Sequence, residues 1–379
     1  MKLKKAMVSV LAMLLVVALL AGCSSSGKGV KIGVLAPLTG EVSVYGTAVE
    51  KGVKLAVKEI NAAGGVLDQD IVLEILDEKG DIAEASTAYD KLVSAKIVAL
   101  IGDVTSKPCM AVAEKAAKDN MPMITPTGTS APITGYGDNV FRTCFTDPFQ
   151  GKIMATFAAD TLKVKTAAVI YNNSDDYSKG LTENFVATAK EKGFEIVAQE
   201  AYGADDKDFK TQLTKIQALN PDVLFVPDYY ETVALIAAQA REVGFTNTML
   251  GADGWDGVYS ALDTSKYGLV DGCYFSSHYA PDDTDPAVVN FLAAFKAEYN
   301  EVPNSFAALG YDAAYMMKAA IEKAGSTDKQ AIIDALASLE YTGVTGSVTF
   351  DENGDPIKPA CIIQMKNGEA SFHSRVSLD

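Results

Sequence analysis

Two groups of residues follow the ends of short apolar runs, and their chemistries are complementary. The first is rich in hydroxyls and glycine: Thr105-Ser106, just before Pro108, and Thr125-Pro126-Thr127-Gly128-Thr129-Ser130. Proline favours a first helical turn. Ser106 would therefore present its hydroxyl beside unpaired main-chain amides, a setting that suits a carboxylate. Thr127 to Thr129 add a main-chain donor, a carbonyl and a hydroxyl. The second group carries acids and aromatics: Asn172 to Tyr177, then Pro227-Asp228-Tyr229-Tyr230, then Ala252-Asp253-Gly254-Trp255. An ammonium group needs acceptors, preferably one of them charged, and Asp253 is the best-placed acid. Tyr45, Tyr177, Tyr229 and Trp255 could wall in the remainder. Together the two groups point to a zwitterion.

Each of these residues also has a plainer role open to it. Ser106 and Thr105 are ordinary N-cap candidates. Asp175 and Asp176 read as solvated loop charges, Tyr230 as a helix-face residue, and Phe306, on an apolar helical pattern, as core.

Several chemistries are disfavoured. The chain has only two histidines, His278 and His373, and neither lies in a recognisable triad context. No G-x-S-x-G elbow, Walker A run or G-x-G-x-x-G run occurs. An enzyme is not expected, and neither is a cofactor. The 33 basic against 49 acidic residues leave a net charge of −16, which repels phosphate backbones and argues against nucleic acid as a partner. The segment from Asp351 to Asp355 echoes a calcium loop, but its twelfth position is Ile362 rather than Glu, so no metal is expected there.

The elements that must position these residues alternate along the chain. Short β-rich runs bounded by turn residues predict buried parallel strands at 31–36, 71–76, 97–102 and 123–125. A second set is predicted at 167–171, 195–199, 222–226 and 248–251. Helical patterns lie between them, among them 43–62, where Val49, Val53, Ala56, Val57 and Ile60 recur at 3–4 residue spacing, 178–193, closed by Gly193, and 229–243, closed by Gly244. Such alternation predicts an α/β fold with two Rossmann-like lobes of parallel-rich sheet. The 379-residue length, too long for one typical core, agrees. A Thr-, Pro- and Gly-rich gap at 126–147 reads as a crossing between the lobes. The tail adds helices near 286–299, 306–324 and 328–338, and strands at 345–350 and 359–365 joined by the turn 351–355. In open parallel sheets, ligands bind beyond the carboxyl ends of the strands, where both groups of candidate residues fall.

The first residues read as an address. Lys2, Lys4 and Lys5 precede an uncharged apolar run over 6–21, the layout of a secretory signal. The run is short for a membrane span, which needs ~20 apolar residues. It ends in Leu20-Ala21-Gly22-Cys23 and a Ser/Gly stretch suited to a flexible tether. A small-residue site ending in Cys resembles the lipobox of bacterial lipoproteins, with Cys23 as the lipidated residue. Removing residues 1–22 removes three lysines and no acids, leaving 30 basic against 49 acidic residues, net −19. Of the other cysteines, Cys109, Cys144, Cys273 and Cys361 show no C-x-x-C spacing; they are expected to be buried, with one disulfide among them left open.

Nearly all of the chain after the leader resembles the substrate-binding proteins of branched-chain amino-acid ABC transporters, type I periplasmic binding proteins. The most specific segment runs from Lys31 to Asp81 and carries Pro37-Leu38-Thr39-Gly40, Tyr45-Gly46 and Ile60-Asn61 before Gly64-Gly65. The stretches 121–134 and 141–151 match further blocks, as do Tyr177-Ser178-Lys179-Gly180 and the segment around Gln239 to Gly244. The resemblance implies a two-lobed clamp with a multi-crossing hinge: residues 30–147 with 278–355 as lobe 1, and 148–277 with 356–379 as lobe 2, after a signal at 1–22 and a tether at 23–29. It implies that Ser106 holds the ligand carboxylate together with the Thr129 amide. The Thr127 carbonyl and Thr129 hydroxyl would take the amine. Tyr177 and Tyr229 would close over the ligand, Asp253 would bind the amine, and Tyr45 and Phe306 would touch the ligand side chain.

The expected partners are a branched-chain amino acid (Leu, Ile or Val), ABC permease subunits, and a membrane through the Cys23 lipid; the chain is expected to be a monomer outside the cytoplasmic membrane. The sequence departs from the leucine-type proteins in three ways. Asp253 stands where they have Glu, one methylene longer. Their first-lobe disulfide positions read Gly80 and Thr105 here, so that bridge is absent. Trp255 is not shared with them. The alternatives are an amide, urea, short-peptide or aromatic amino-acid ligand on the same fold, or a sensor that reports to a membrane receptor.

Overall fold

A computed structural model describes residues 29–378. The chain starts with β1 (Val30–Ala36), α1 (Ser43–Ala62), β2 (Ile71–Asp77), α2 (Ile82–Ser94), β3 (Ala99–Ile101), α3 (Ser106–Lys118), β4 (Met123–Thr125) and β5 (Val140–Arg142). These strands form one parallel sheet in the order β2-β1-β3-β4-β5. Apart from the edge strand β2, they are buried on both faces, so their sequences are apolar runs rather than alternating patterns. β5 lies within the stretch expected to be a crossing. The gap at 126–147 therefore holds a fifth strand of the first sheet, and the chain leaves the lobe only after Arg142.

The second layer is built from α4 (Asp147–Asp160), β6 (Thr166–Asn172), α5 (Asp176–Lys192), β7 (Glu195–Tyr202), α6 (Lys210–Leu219), β8 (Val223–Phe225), α7 (Tyr230–Glu242), β9 (Thr248–Gly251) and β10 (Tyr274–Ser277). Helices α8 (Pro286–Tyr299), α9 (Ser305–Ala324) and α10 (Lys329–Ala337) follow, then β11 (Glu340–Gly343), β12 (Gly346–Thr349), β13 (Ala360–Lys366) and β14 (Glu369–Val376). The second sheet has the order β14-β13-β10-β9-β8-β6-β7, parallel from β7 to β10 and antiparallel through β13 and β14. The turn at 351–355 does join the two predicted tail strands, but they belong to different sheets. β12 pairs with β11, whereas β13 pairs with β10 and β14.

Helix α9 returns to the first lobe and packs along α1 at backbone contact. A Cβ on Gly52 would lie 2.0 Å from the Ala307 carbonyl oxygen, so the approach requires glycine there. α4 likewise packs on α5 in the second lobe. Both parallel sheets reverse strand order at a switch point, between β1 and β3 in the first and between β6 and β8 in the second. Crevices open at such points, and here they face one another.

One expectation changes locally. Asp175 is not a free loop charge: its Oδ1 accepts from the amides of Tyr177 and Ser178 at 2.9 and 3.3 Å and caps α5. The four cysteines among the described residues are buried and free. No helix among the described residues is long and apolar enough to cross a membrane. The leader and Cys23 lie outside the described residues.

Candidate functional site

Each candidate residue but one reaches a single narrow cavity between the lobes. Tyr45, Ser106, Thr127, Thr129, Tyr177, Tyr229, Asp253 and Phe306 line it, together with Val104, Thr105 and Gly254.

On the first-lobe side, Ser106 is the first residue of α3, after a Thr105 N-cap whose side chain caps no amide. The helix start therefore leaves amides unpaired next to the Ser106 hydroxyl, at the positive end of the helix dipole. The Ser106 Oγ accepts from the Ser130 amide at 3.2 Å, which ties α3 to the loop after β4. That loop is pinned from below. Thr127 Oγ1 donates to the Val104 carbonyl at 2.8 Å, and Thr125 Oγ1 donates to the Asp103 carbonyl at 2.6 Å. Arg142, fully buried, donates from Nη1 to the carbonyls of Gly128 and Ser130 at 3.0 and 3.1 Å. Its Nε pairs with Asp355 Oδ1 at 2.6 Å, linking the loop to the turn where the chain crosses back.

On the second-lobe side, Asp253 is held by three donors. Gln150 Nε2 and the Tyr177 hydroxyl both donate to Oδ1, at 3.0 and 2.9 Å, and His278 Nε2 lies 3.2 Å from Oδ2. Gln150 also accepts from the Asp253 amide at 3.0 Å and from Ser276 Oγ at 2.8 Å. Burial pushes the His278 imidazole down to about 4, so at neutral pH it is uncharged and acts as a hydrogen-bond donor. Burial likewise raises the Tyr45, Tyr177 and Tyr229 phenols well above their ordinary value, which keeps them protonated.

The aromatics form the walls. Tyr45 stacks on Phe306 with ring centroids 4.1 Å apart, and Tyr177 stacks on Tyr229 at 4.8 Å. The Tyr45 hydroxyl bridges the lobes, donating to the Gly254 carbonyl and accepting from the Tyr230 amide at 2.9 Å.

Trp255 is the exception. The expectation that it walls the cleft is corrected: it does not line the cavity. Its indole is fully buried and folds back over β9, where a Cβ on Gly251 would sit 2.0 Å from Nε1. Nε1 donates to the Val226 carbonyl at 2.7 Å, the partner a buried indole needs. Conversely, Gln150, Arg142 and His278 serve the site and were not among the candidates. His278 is the residue immediately after β10, a strand end like the others, and the same rule finds it once that strand is recognised.

A periplasmic binding protein family model matches residues 29–370. The chain belongs to the periplasmic binding protein family. Among family members, the Leu/Ile/Val-binding protein BraC3 of Rhizobium johnstonii is 34% identical over 343 residues, spanning 89% of this chain and 92% of that protein. Two solved structures are similar in shape and sequence. The branched-chain amino acid transporter substrate-binding protein LivJ of Streptococcus pneumoniae, in complex with isoleucine, has a TM-score of 0.86 and 34% identity over 92% of this chain and 99% of that one. The leucine-binding protein LivK of Thermotoga maritima has a TM-score of 0.84 and 34% identity over 92% and 98%. Within the periplasmic binding protein family the chain is thus similar to members that serve branched-chain amino-acid ABC transport, as the resemblance in its sequence implies. The family is one of solute-binding proteins, and its two-lobe α/β architecture is the one seen here.

Proposed function

We propose that this protein is the extracytoplasmic binding component of an ABC importer and takes a branched-chain α-amino acid, Leu, Ile or Val, into the cavity between its lobes. The observation that carries this reading is the pairing of opposite chemistries across one cavity. The start of α3, with the Ser106 and Lys107 amides and the Ser106 hydroxyl, faces it from one lobe, and Asp253 faces it from the other. A buried zwitterion needs a partner for each charge, because unpaired buried charge is heavily penalised. Ser106 and the Thr129 amide take the carboxylate. Asp253, directly or through one water, takes the ammonium with Thr127 and Thr129. Tyr45 and Phe306 meet the side chain, where full burial of a Leu-sized group contributes roughly 1.5–3 kcal/mol.

Residues 30–147 with 278–355 act as one jaw and 148–277 with 356–379 as the other. The ligand favours the closed form to the extent that it binds that form better. The closed monomer, tethered by lipid on Cys23, docks on the permease and releases its cargo unchanged. Isothermal titration with the twenty amino acids tests the reading. Heat from Leu, Ile or Val supports it, and silence from all three overturns the branched-chain assignment.

A further inference from the structure

We propose that His278 is a positioning residue for the ligand ammonium: it fixes the Asp253 carboxylate in the orientation that receives the amine. The proposal rests on the amino-acid reading above and names a residue that reading does not require.

An aspartate side chain turns about two torsions, so its acceptor geometry is set by its neighbours. Here the neighbours come from three separate elements: Gln150 from α4, Tyr177 from α5 and His278 from the end of β10. Gln150 and Tyr177 both act on Oδ1, and only His278 acts on Oδ2. A carboxylate offers about four lone-pair sites. The three bonds therefore leave one acceptor direction, on Oδ2, for a ligand donor. Among the described residues, His278 is the side chain bonded to that oxygen, and it completes the orientation that the two bonds on Oδ1 leave partly open.

The imidazole is itself immobilised. Its ring stacks on Phe145 with centroids 3.7 Å apart, and the residue is buried. Nδ1 has no hydrogen-bond partner among the described residues, so the ring proton sits on Nε2, where Asp253 accepts it. A histidine that served only to fill space would not need a ring nitrogen within hydrogen-bond reach of the site carboxylate. The position also offsets the shorter reach of Asp253: a short carboxylate held rigidly loses less freedom on meeting a cation than one that must be ordered by the ligand.

The test is calorimetric titration of isoleucine into five proteins: wild type, His278→Leu, Asp253→Asn, the double variant, and His278→Gln, the conservative replacement that keeps a donor. The expected result is a loss of about tenfold in affinity for His278→Leu. His278→Gln should recover most of it, and His278→Leu should cost less than twofold in the Asp253→Asn background. Two results overturn the proposal. One is unchanged affinity in His278→Leu. The other is an equal loss in both backgrounds, which would mark a packing role. Should His278→Leu fail to fold by circular dichroism, His278→Asn, whose amide is too short to reach Oδ2, takes its place with the same expectations. If the wild type binds no amino acid, the parent reading falls and this proposal with it; if the wild type binds and the cycle shows no coupling, only this proposal falls.

Discussion

The main-chain amide of Tyr230 donates to the phenol oxygen of Tyr45 at 2.9 Å, joining the start of α7 in one lobe to α1 in the other. The same phenol donates to Gly254, so one side chain closes two main-chain bonds across the cleft. Tyr45→Phe keeps the stack on Phe306 and removes both bonds. A buried group left without its partner costs about 1–3 kcal/mol. The expected outcome is roughly a tenfold loss of isoleucine affinity, with a larger radius of gyration by solution scattering before ligand is added. Unchanged affinity and unchanged dimensions would show that the bridge contributes nothing to closure.

In the proposed binding mode Ser106 and Asp253 hold opposite ends of the ligand, and their removal should be felt separately. Hydrogen bonds to charged groups contribute about 1.5–3 kcal/mol. Ser106→Ala and Asp253→Ala are each expected to weaken isoleucine binding by more than about tenfold. Titration calorimetry reads both, and a variant that binds as wild type does removes its residue from the site.

The parts of this architecture legible in the sequence are those whose residues repeat a simple physical pattern. β1, β6 and β9 are apolar runs ended by turn residues, and α1 keeps its apolar stripe over its full length from Ser43 to Ala62. β5, three residues ending in Arg142, and β10, ending in Ser276 and Ser277, do not look like buried strands, because their polar groups are satisfied by distant partners. Missing β10 concealed His278. Trp255 fell at a strand end and so passed the positional test. Its direction, back toward Gly251, depends on the missing Cβ there, which no spacing rule encodes. The pairing of Asp253 with Gln150 spans 103 residues, a separation no local pattern encodes.

Arg142 shows how the site depends on such distant satisfaction. Its guanidinium is buried among the carbonyls of Gly128 and Ser130, the Thr134 hydroxyl and Asp355. Arg142→Met has similar length and leaves Asp355 facing no cation. Breaking one side of a buried pair typically costs about 3–5 kcal/mol. The variant is expected to unfold at clearly lower urea concentration and, when folded, to bind isoleucine more weakly because the 127–130 loop is released. A midpoint within error of wild type would show that the loop holds itself.

Glu78 and Asp103 predict a pH dependence of stability. Both are fully buried, and Glu78 Oε1 and Asp103 Oδ2 have no hydrogen-bond partner among the described residues. Burial pushes the Glu78 carboxyl from 4.5 up to about 7, and burial followed by the Glu78 charge raises Asp103 well above its ordinary value. Between those pH values the folded chain keeps a proton that the unfolded chain has lost. The stabilisation from Glu78 is therefore complete below about 4.5 and disappears as pH rises through about 7. Asp228, raised to about 7 by burial, acts in the same direction. His278, lowered to about 4, acts in the opposite direction and stabilises above its ordinary value of 6.5. The contribution of Glu78 is isolated by difference. Glu78→Gln should melt close to wild type near pH 5 and several degrees above it near pH 8, since the amide needs no proton to stay neutral. Melting curves that run parallel from pH 5 to 8 would mean that Glu78 keeps no extra proton in the folded state.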